Sequence, residues 1–218
     1  MREAFHEQLD TLFTDLADIA AQVRQAVRDA SRALLTSDVA VAEAVISADR
    51  EIDRAAEKVE DTAFMLLTLQ QPVAGDLRMV VAALRMVSEL ERMGDLSVHV
   101  AKIARLRVPQ VAVPAEARPT MLRMATVAEE MVARVVRIIG ERDVEAAEEL
   151  ELMDDEMDQL RVTTFSQLLA DDEWRHGIES AVDIALLGRY YERIADHAVS
   201  VARRIVFVVT GRHPAGAL

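Results

Sequence analysis

Apolar residues return at every third or fourth position along most of this chain. The first stretch shows the pattern clearly, because Phe5, Leu9 and Leu12 fall on one side of a helix with about 3.6 residues per turn. Five further stretches repeat the same amphipathic spacing. The pattern predicts six long helices, over residues 3–35, 38–70, 74–107, 120–139, 143–170 and 174–209.

Breaks in the pattern coincide with residues that end or cap helices. Asp38 follows the first stretch and can accept a backbone N–H at the start of the next helix. Pro72 ends the second stretch, since proline lacks an N–H and disfavours a helical residue before it. Gly140 and Gly211 are typical of helix C-termini. Residues 171–173 are predicted to form the turn before the last helix.

Three prolines at five-residue spacing lie between the third and fourth predicted helices, and they form the strongest linker signal in the chain. The predicted division is therefore residues 1–108, a proline-rich linker at 109–118, and residues 119–218. Each half contains three long helices joined by short turns. We expect an all-α protein made of two tandem antiparallel three-helix bundles.

Two short acidic motifs each occur twice. The first motif is D-R-E-I-D at 49–53, and its second copy is D-D-E-M-D at 154–158. The second motif is E-R-M-G-D at 91–95, and its second copy is E-R-I-A-D at 192–196. The spacing between the two copies of the first motif differs from that of the second motif by about one helical turn. One additional turn moves a motif along the helix axis but leaves it on the same face of the helix. The chain is therefore interpreted as a duplicated unit.

Each motif places two carboxylates four residues apart, on one face of its helix. In the first half the two motifs lie at equal sequence distances from Pro72, and in the second half from Arg175, beside the predicted turns. The four carboxylates of each half should therefore lie at one level of a helical hairpin. The candidate site residues are Asp49, Asp53, Glu91 and Asp95 in the first half, and Asp154, Asp158, Glu192 and Asp196 in the second.

Converging carboxylates repel one another, so something must offset the repulsion. Ordinary salt bridges could do so, from the arginines within or beside the motifs: Arg50, Arg54, Arg92 and Arg193. The other solution is a cation, since carboxylate sites suit magnesium, manganese, calcium or iron, and zinc accepts them. His99 and His197 lie near the second motif of each half and could add nitrogen ligands. Both solutions are open at this point.

Composition narrows the class of function. The net charge of −13 disfavours a nucleic-acid partner, and the absence of cysteine excludes a thiolate site. Charged residues interrupt the N-terminus, so no signal peptide is expected. The longest uncharged stretch, residues 62–75, is too short to span a bilayer, which predicts a soluble, cytoplasmic protein. Residues 141–158 carry ten acids and one base. Such a run is typical of a solvated helix face, or it forms a surface that binds cations or a basic partner.

No catalytic arrangement stands out in the sequence. There is no Gly-rich phosphate loop, no Ser-His-Asp ordering and no arginine cluster that predicts a phosphate site. A carboxylate-cluster metalloenzyme, such as a di-iron oxidase, would need histidine ligands and a buried substrate pocket. A metal-free helical scaffold would need only salt-bridged acids.

The motifs resemble those of the PhoU family of regulators of bacterial phosphate uptake. The resemblance rests on Q-Q-P-V-A-G-D-L-R at 70–78, L-E-R-M-G-D at 90–95 and L-L-G-R-Y-Y-E-R-I-A-D-H-A at 186–198, and it covers nearly the whole chain. W-R-H-G at 174–177 is similar to actinobacterial members. Ala195 departs from the family pattern, in which glycine is common at that position.

The resemblance implies a function beyond what the residues alone indicate. Family members are cytoplasmic, non-enzymatic adaptors that meet the membrane only through partners. They link the ATPase subunit of the phosphate ABC transporter to a sensor histidine kinase and so repress the phosphate-starvation response. The resemblance further implies a homodimer and no organic cofactor. It also implies iron, zinc, magnesium or manganese at the acid motifs, carried over onto the eight carboxylates above.

Overall fold

The computed structural model describes residues 2–170 and 174–212, and all regular structure within them is helical. The helices are α1 (Arg2–Thr36), α2 (Val39–Gln70), α3 (Ala74–Arg107), α4 (Arg118–Glu141), α5 (Val144–Leu169) and α6 (Gly177–Thr210). The prediction of an all-α protein with two sets of three long helices is confirmed. In the part of the chain that the structure describes, no helix is both long and apolar enough to cross a membrane.

Most helix ends lie where the sequence places them. Oδ1 of Asp38 accepts a hydrogen bond from the backbone N–H of Val41 at 3.1 Å and caps α2. Gly211 has a φ of 73° and its N–H donates to the carbonyl of Phe207, which closes α6. The left-handed conformation at this position favours glycine.

Two predicted helix ends are wrong. Gly140 lies inside α4, and Arg142 takes the left-handed conformation after the helix, with a φ of 53°. The last helix begins at Gly177 instead of residue 174, and the indole N–H of Trp174 donates to the Gly177 carbonyl at 3.0 Å. The predicted turn at 171–173 lies outside the described residues.

The four helices α1, α3, α6 and α4 surround one continuous apolar core. Within each half, α1 contacts α3 and α4 contacts α6, while across the halves α1 contacts α4 and α3 contacts α6. Helix α2 packs on the outside against α1 and α3, and α5 packs on the outside against α4 and α6. The equivalent helices of the two halves therefore meet in the centre of the molecule.

Central and outer helices differ in how much of their surface is buried. Fourteen residues are buried in α3 and fourteen in α6, against seven in α2 and five in α5. A helix packed on two sides needs a wide apolar arc, whereas a helix packed on one side needs only a stripe. The outer helices are therefore free to expose polar residues, including the acid-rich segment of α5.

The predicted linker is packed against the rest of the chain. Ala112, Val113 and Ala117 are 4%, 2% and 1% exposed and belong to the common core. The prolines do separate α3 from α4, as expected. The boundaries at 108 and 119 stay a prediction, because residues of both halves belong to one common apolar core.

Polar contacts also join the halves. The buried hydroxyl of Tyr191 on α6 lies 2.9 Å from Oγ of Ser31 on α1, whose own proton is donated to the carbonyl of Val27. Tyr191 is therefore the donor to Ser31, and its burial raises the pKa of the phenol well above its usual value. Where the end of α3 meets the start of α6, Nε of Arg107 donates to the buried carboxylate of Asp183 at 2.5 Å.

Replacement of Ser31 should cost more stability than replacement of Tyr191. Ser31→Ala leaves a buried phenol O–H without an acceptor, which should lower the free energy of unfolding by about 1–3 kcal/mol. Tyr191→Phe removes the donor itself and should cost about 1 kcal/mol. The double variant should be more stable than Ser31→Ala, which urea unfolding would measure. An equal or smaller cost for Ser31→Ala would contradict the assigned direction of the bond.

Candidate metal centre

The first candidate cluster lies in the α2–α3 hairpin. Asp49 and Asp53 are on α2, Glu91 and Asp95 are on α3, and all four are partly buried. Burial raises the pKa of Asp49, and the charges of Asp53 and Asp95 raise it further. Burial is also the largest cause of the raised pKa of Glu91, and the charges of Asp53 and Asp95 again raise it further. The four carboxylates predicted to share one level of the hairpin therefore do act on one another.

A glycine marks the close approach of the two helices at this cluster. Gly94 is buried in α3, and a Cβ at this position would lie 3.4 Å from Cδ1 of Ile52 and 3.7 Å from Oδ1 of Asp49. The carboxylate of Asp49 thus reaches over the backbone of α3 at the point where the two helices approach closely. The corresponding residue of the second half is Ala195, which is fully buried.

The second cluster, in the α5–α6 hairpin, has a different balance of charge. Burial raises the pKa of Asp154 to about 6, with further increases from Asp196 and then Asp158. Glu192 is only 6% exposed, yet one oxygen lies 3.5 Å from Nη1 of Arg161, and Arg189 contacts its other oxygen. Three carboxylates of this half therefore act together, while the fourth is neutralised by arginine.

The arginines expected to pair with the acids mostly do not. Arg92 contacts Asp95 at 3.5 Å, but within the described residues Arg50 and Arg54 make no ion pair. Arg193 lies 3.3 Å from His197 instead of a carboxylate. The salt-bridge interpretation was therefore wrong for three of the four named arginines.

Sequence reasoning missed Arg161 and Arg189, although both carried a signal. Arg189 precedes Glu192 by one helical turn, and Arg161 follows Asp158 by nearly one turn, at the level of Glu192 in the hairpin. The repeat relation places Ala56 and Ser88 at these two positions in the first half. The first cluster consequently lacks the neutralising pair that the second one has.

Neither histidine near the motifs joins a carboxylate cluster as a bonded partner. The ring of His99 stacks on Tyr190, with the ring centroids 5.2 Å apart, although its charge does act on Asp49. Nδ1 of His197 lies 2.6 Å from Oε2 of Glu89, which places His197 at the contact between α3 and α6. The candidate clusters are therefore built from carboxylates.

The donor set of the first cluster fits a hard cation. The four carboxylates, among which burial and then mutual repulsion raise the pKa of Asp49 and of Glu91, hold more negative charge than Arg92 and Lys102 offset, and oxygen-only donors suit magnesium, manganese or iron. As the side chains are placed, no three acids or histidines within residues 2–170 and 174–212 form a ready metal site. Binding would therefore require the carboxylates to close around the ion.

A cavity of about 240 Å³ lies between α1 and α2 beside the first cluster, and Asp49 is one of its lining residues. The cavity is smaller than a typical small-molecule site of about 300–1,000 Å³. Its other polar residues are Gln22, Gln25, Asp29 and Glu51. It offers no histidine for a di-iron centre and so does not favour the metalloenzyme alternative.

Asp154→Asn should stabilise the protein at neutral pH. The pKa of Asp154 rises from 3.8 to about 6 on folding, so between these values the folded state binds more protons than the unfolded state. Stability is therefore lost as pH rises through this window. In protein treated with a chelator, Asp154→Asn should raise the free energy of unfolding by about 1–3 kcal/mol at pH 7.5 and have little effect at pH 4. Urea unfolding at both pH values would measure this.

Glu148→Gln is the matched control, since it removes an exposed carboxylate from the same helix. It should change the free energy of unfolding little at either pH. A gain for Asp154→Asn that persisted unchanged at pH 4 would show that charge is not the cause.

Comparison with known proteins agrees with the doubled architecture. The model of the PhoU domain matches the chain twice, at residues 16–104 and 121–205. The phosphate-specific transport system accessory protein PhoU homolog 2 of Mycobacterium tuberculosis is 45% identical over 214 residues, covering 98% of this chain and 100% of that protein. PhoU homolog 1 of Mycobacterium leprae is also 45% identical, covering 98% of this chain and 96% of that protein.

Solved structures show the same fold. The chain is similar to PhoU from Pseudomonas aeruginosa with a TM-score of 0.89 and 24% identity, covering 95% of this chain and 100% of that one. The phosphate transport system regulatory protein PhoU from Streptococcus pneumoniae gives a TM-score of 0.86 at 24% identity, covering 95% and 98%. With both repeats matched by the family model and relatives at 45% identity along nearly its full length, the chain belongs to the PhoU family.

Proposed function

We propose that this protein is a regulatory adaptor of phosphate homeostasis that represses the phosphate-starvation response. In this proposal it links the ATPase subunit of the phosphate ABC transporter to a sensor histidine kinase. The observation that carries it is the 45% identity, over 98% of the chain, with proteins named as accessory proteins of a phosphate-specific transport system. Membership of the PhoU family supports a regulatory role in phosphate transport. We further propose that the protein represses the starvation response and that it binds the sensor kinase.

The proposed mode of action is binding without turnover. Relatives are named for accessory and regulatory roles, and the cavity of about 240 Å³ beside the first cluster is smaller than a typical small-molecule site and is lined by no histidine. The protein would act in the cytoplasm, at the inner face of the membrane, through its partners. It would act as a homodimer.

Helix α5 supplies a surface suited to a basic partner. Residues 141–158 hold ten acids against one base. Three of these acids are exposed on α5 and make no ion pair within the described residues: Glu145, Glu148 and Asp155. Acidic surfaces steer encounters with basic patches and lose that effect as salt rises. Because α5 is an outer helix packed on one side only, its acidic face is available without disturbing the core.

Deletion of the gene should leave phosphate-starvation genes expressed when phosphate is plentiful, and the wild-type gene should restore repression. A variant with Glu145→Gln, Glu148→Gln and Asp155→Asn should restore repression less well and recover less kinase or ATPase in a low-salt pull-down. The matched control is Glu3→Gln, Glu7→Gln and Asp18→Asn on α1, which removes the same charge from exposed positions. Normal repression in the deletion strain, with neither partner recovered, would contradict the adaptor proposal.

The second part of the proposal is that the acid motifs bind cations, one site per half. The excess of carboxylate over arginine supports this for Asp49, Asp53, Glu91 and Asp95. In the second half, a cation at Asp154, Asp158 and Asp196 would have to draw Glu192 away from its two arginines. Iron, zinc, magnesium and manganese are the candidates, and each would supply positive charge that holds the hairpin carboxylates together.

Glu91→Gln with Asp95→Asn should abolish cation binding in the first half and leave the second site intact. The mirror variant, Glu192→Gln with Asp196→Asn, should do the reverse. Elemental analysis of untagged protein, followed by calorimetric titration with Mn²⁺, would measure the stoichiometry. If the wild type bound no Mn²⁺, or if neither variant bound less Mn²⁺ than the wild type, the cation proposal would be wrong. Salt bridges and burial alone would then explain the carboxylate clusters.

A further inference from the structure

Basic side chains concentrate where α3 and α6 meet. We call this line of contact the α3–α6 seam, and its basic residues include Arg78, Arg85, Arg107, His197 and Arg204. Two contacts set its antiparallel register. Nε of Arg78 donates to the carbonyl of Val208 at 3.2 Å, and His197 bonds Glu89. Between these contacts, Arg85 of α3 and Arg204 of α6 come to neighbouring levels, about one helical turn apart.

Arg204 is unusual among the partly buried arginines. Its Nε is buried without a hydrogen-bond partner, as are the Nε atoms of Arg24 and Arg161. Those two arginines are each paired with a glutamate through a terminal nitrogen, Arg24 with Glu129 and Arg161 with Glu192. Within residues 2–170 and 174–212, Arg204 has no ion pair at all.

The surroundings of Arg204 add to its positive charge. Burial lowers the pKa of Arg204, and the charge of Arg85 lowers it further. Arg85 likewise makes no ion pair within the described part of the chain. Glu89 is the carboxylate that acts on Arg204, but its Oε2 is engaged by His197. Two like charges therefore act on each other in a protein whose net charge is −13, and within the described residues neither has an ion pair.

We propose that Arg85 and Arg204 form an anion site at the α3–α6 seam that binds a phosphate oxyanion, either inorganic phosphate or the phosphate group of a small ester. Guanidinium groups present paired N–H donors that match phosphate oxygens, and a bound anion would remove the repulsion between the two arginines. Ser200 lies one helical turn before Arg204, on the same face of α6, and in this proposal adds a hydroxyl donor. The site is separate from the carboxylate clusters, and its test does not depend on the adaptor role.

Calorimetric titration of the full-length protein with inorganic phosphate, at constant ionic strength, tests the site directly. Arg85→Gln with Arg204→Gln should weaken binding by about a hundredfold or more, since each of the two lost charged hydrogen bonds is worth roughly tenfold to a hundredfold. The control is Arg50→Gln with Arg54→Gln, which makes the same change in net charge at two exposed, unpaired arginines of α2. It should leave the affinity within about twofold, because exposed charges at a distance are screened.

Two single variants test whether weaker phosphate binding results from loss of the site or from loss of folding. Arg85→Gln changes an exposed side chain, so it should fold normally by circular dichroism and still weaken binding. Glu89→Gln removes the competing carboxylate and should strengthen phosphate binding by about tenfold or less. Weakening from the first and strengthening from the second would together support the site.

A parallel titration with ADP separates the two sources of phosphate. Binding of inorganic phosphate that is sensitive to the arginine variants supports a free-phosphate site. Variant-sensitive binding of ADP alone supports a site for phosphate esters. Absence of binding by both probes, or binding that the arginine and control variants weaken equally, overturns the proposal.

Discussion

Burial of apolar surface between the two halves is the interaction on which the rest of the structure depends. A three-helix half leaves the second apolar face of α1 and α3, or of α4 and α6, uncovered, and the other half covers it. Each fully buried leucine or methionine contributes about 1.5–3 kcal/mol to folding, and the central helices contain many of them. The Tyr191–Ser31 bond and the packed segment around Val113 lie at the same junction. The halves therefore hold each other in place.

This rigid centre explains how acidic residues can gather on the outer hairpins. Carboxylates at one level of a hairpin repel one another, and burial with this repulsion raises the pKa of Asp49, Glu91 and Asp154, which opposes folding at neutral pH. The central core supplies the opposing free energy, so α2 and α5 stay docked despite this repulsion. The two halves differ in how much repulsion remains. Arg161 and Arg189 neutralise Glu192, whereas the first half has Ala56 and Ser88 at the corresponding positions.

The sequence was sufficient to predict what local spacing controls. Most helices were predicted from the apolar periodicity and from three residues at helix ends, Asp38, Pro72 and Gly211. The equal distances of the acid motifs from the turn predicted that Asp49 lies opposite Asp95. The sequence did not predict which helices meet across the halves, because amphipathic stripes do not specify a partner. Side-chain pairing failed for the same reason. Arg204 is far from Arg85 and Glu89 in the chain, and only the α3–α6 contact brings it to them.

The pairing of α1 with α4 and of α3 with α6 has a symmetry of its own. Each central helix meets its counterpart in the other repeat, as equivalent surfaces meet across the two-fold axis of a homodimer. The connection through residues 108–117 joins two such subunits into one chain. Two separate chains would associate to an extent set by their concentration, whereas the fused halves meet at a fixed, high effective concentration. The central bundle therefore stays closed however few copies of the protein a cell contains.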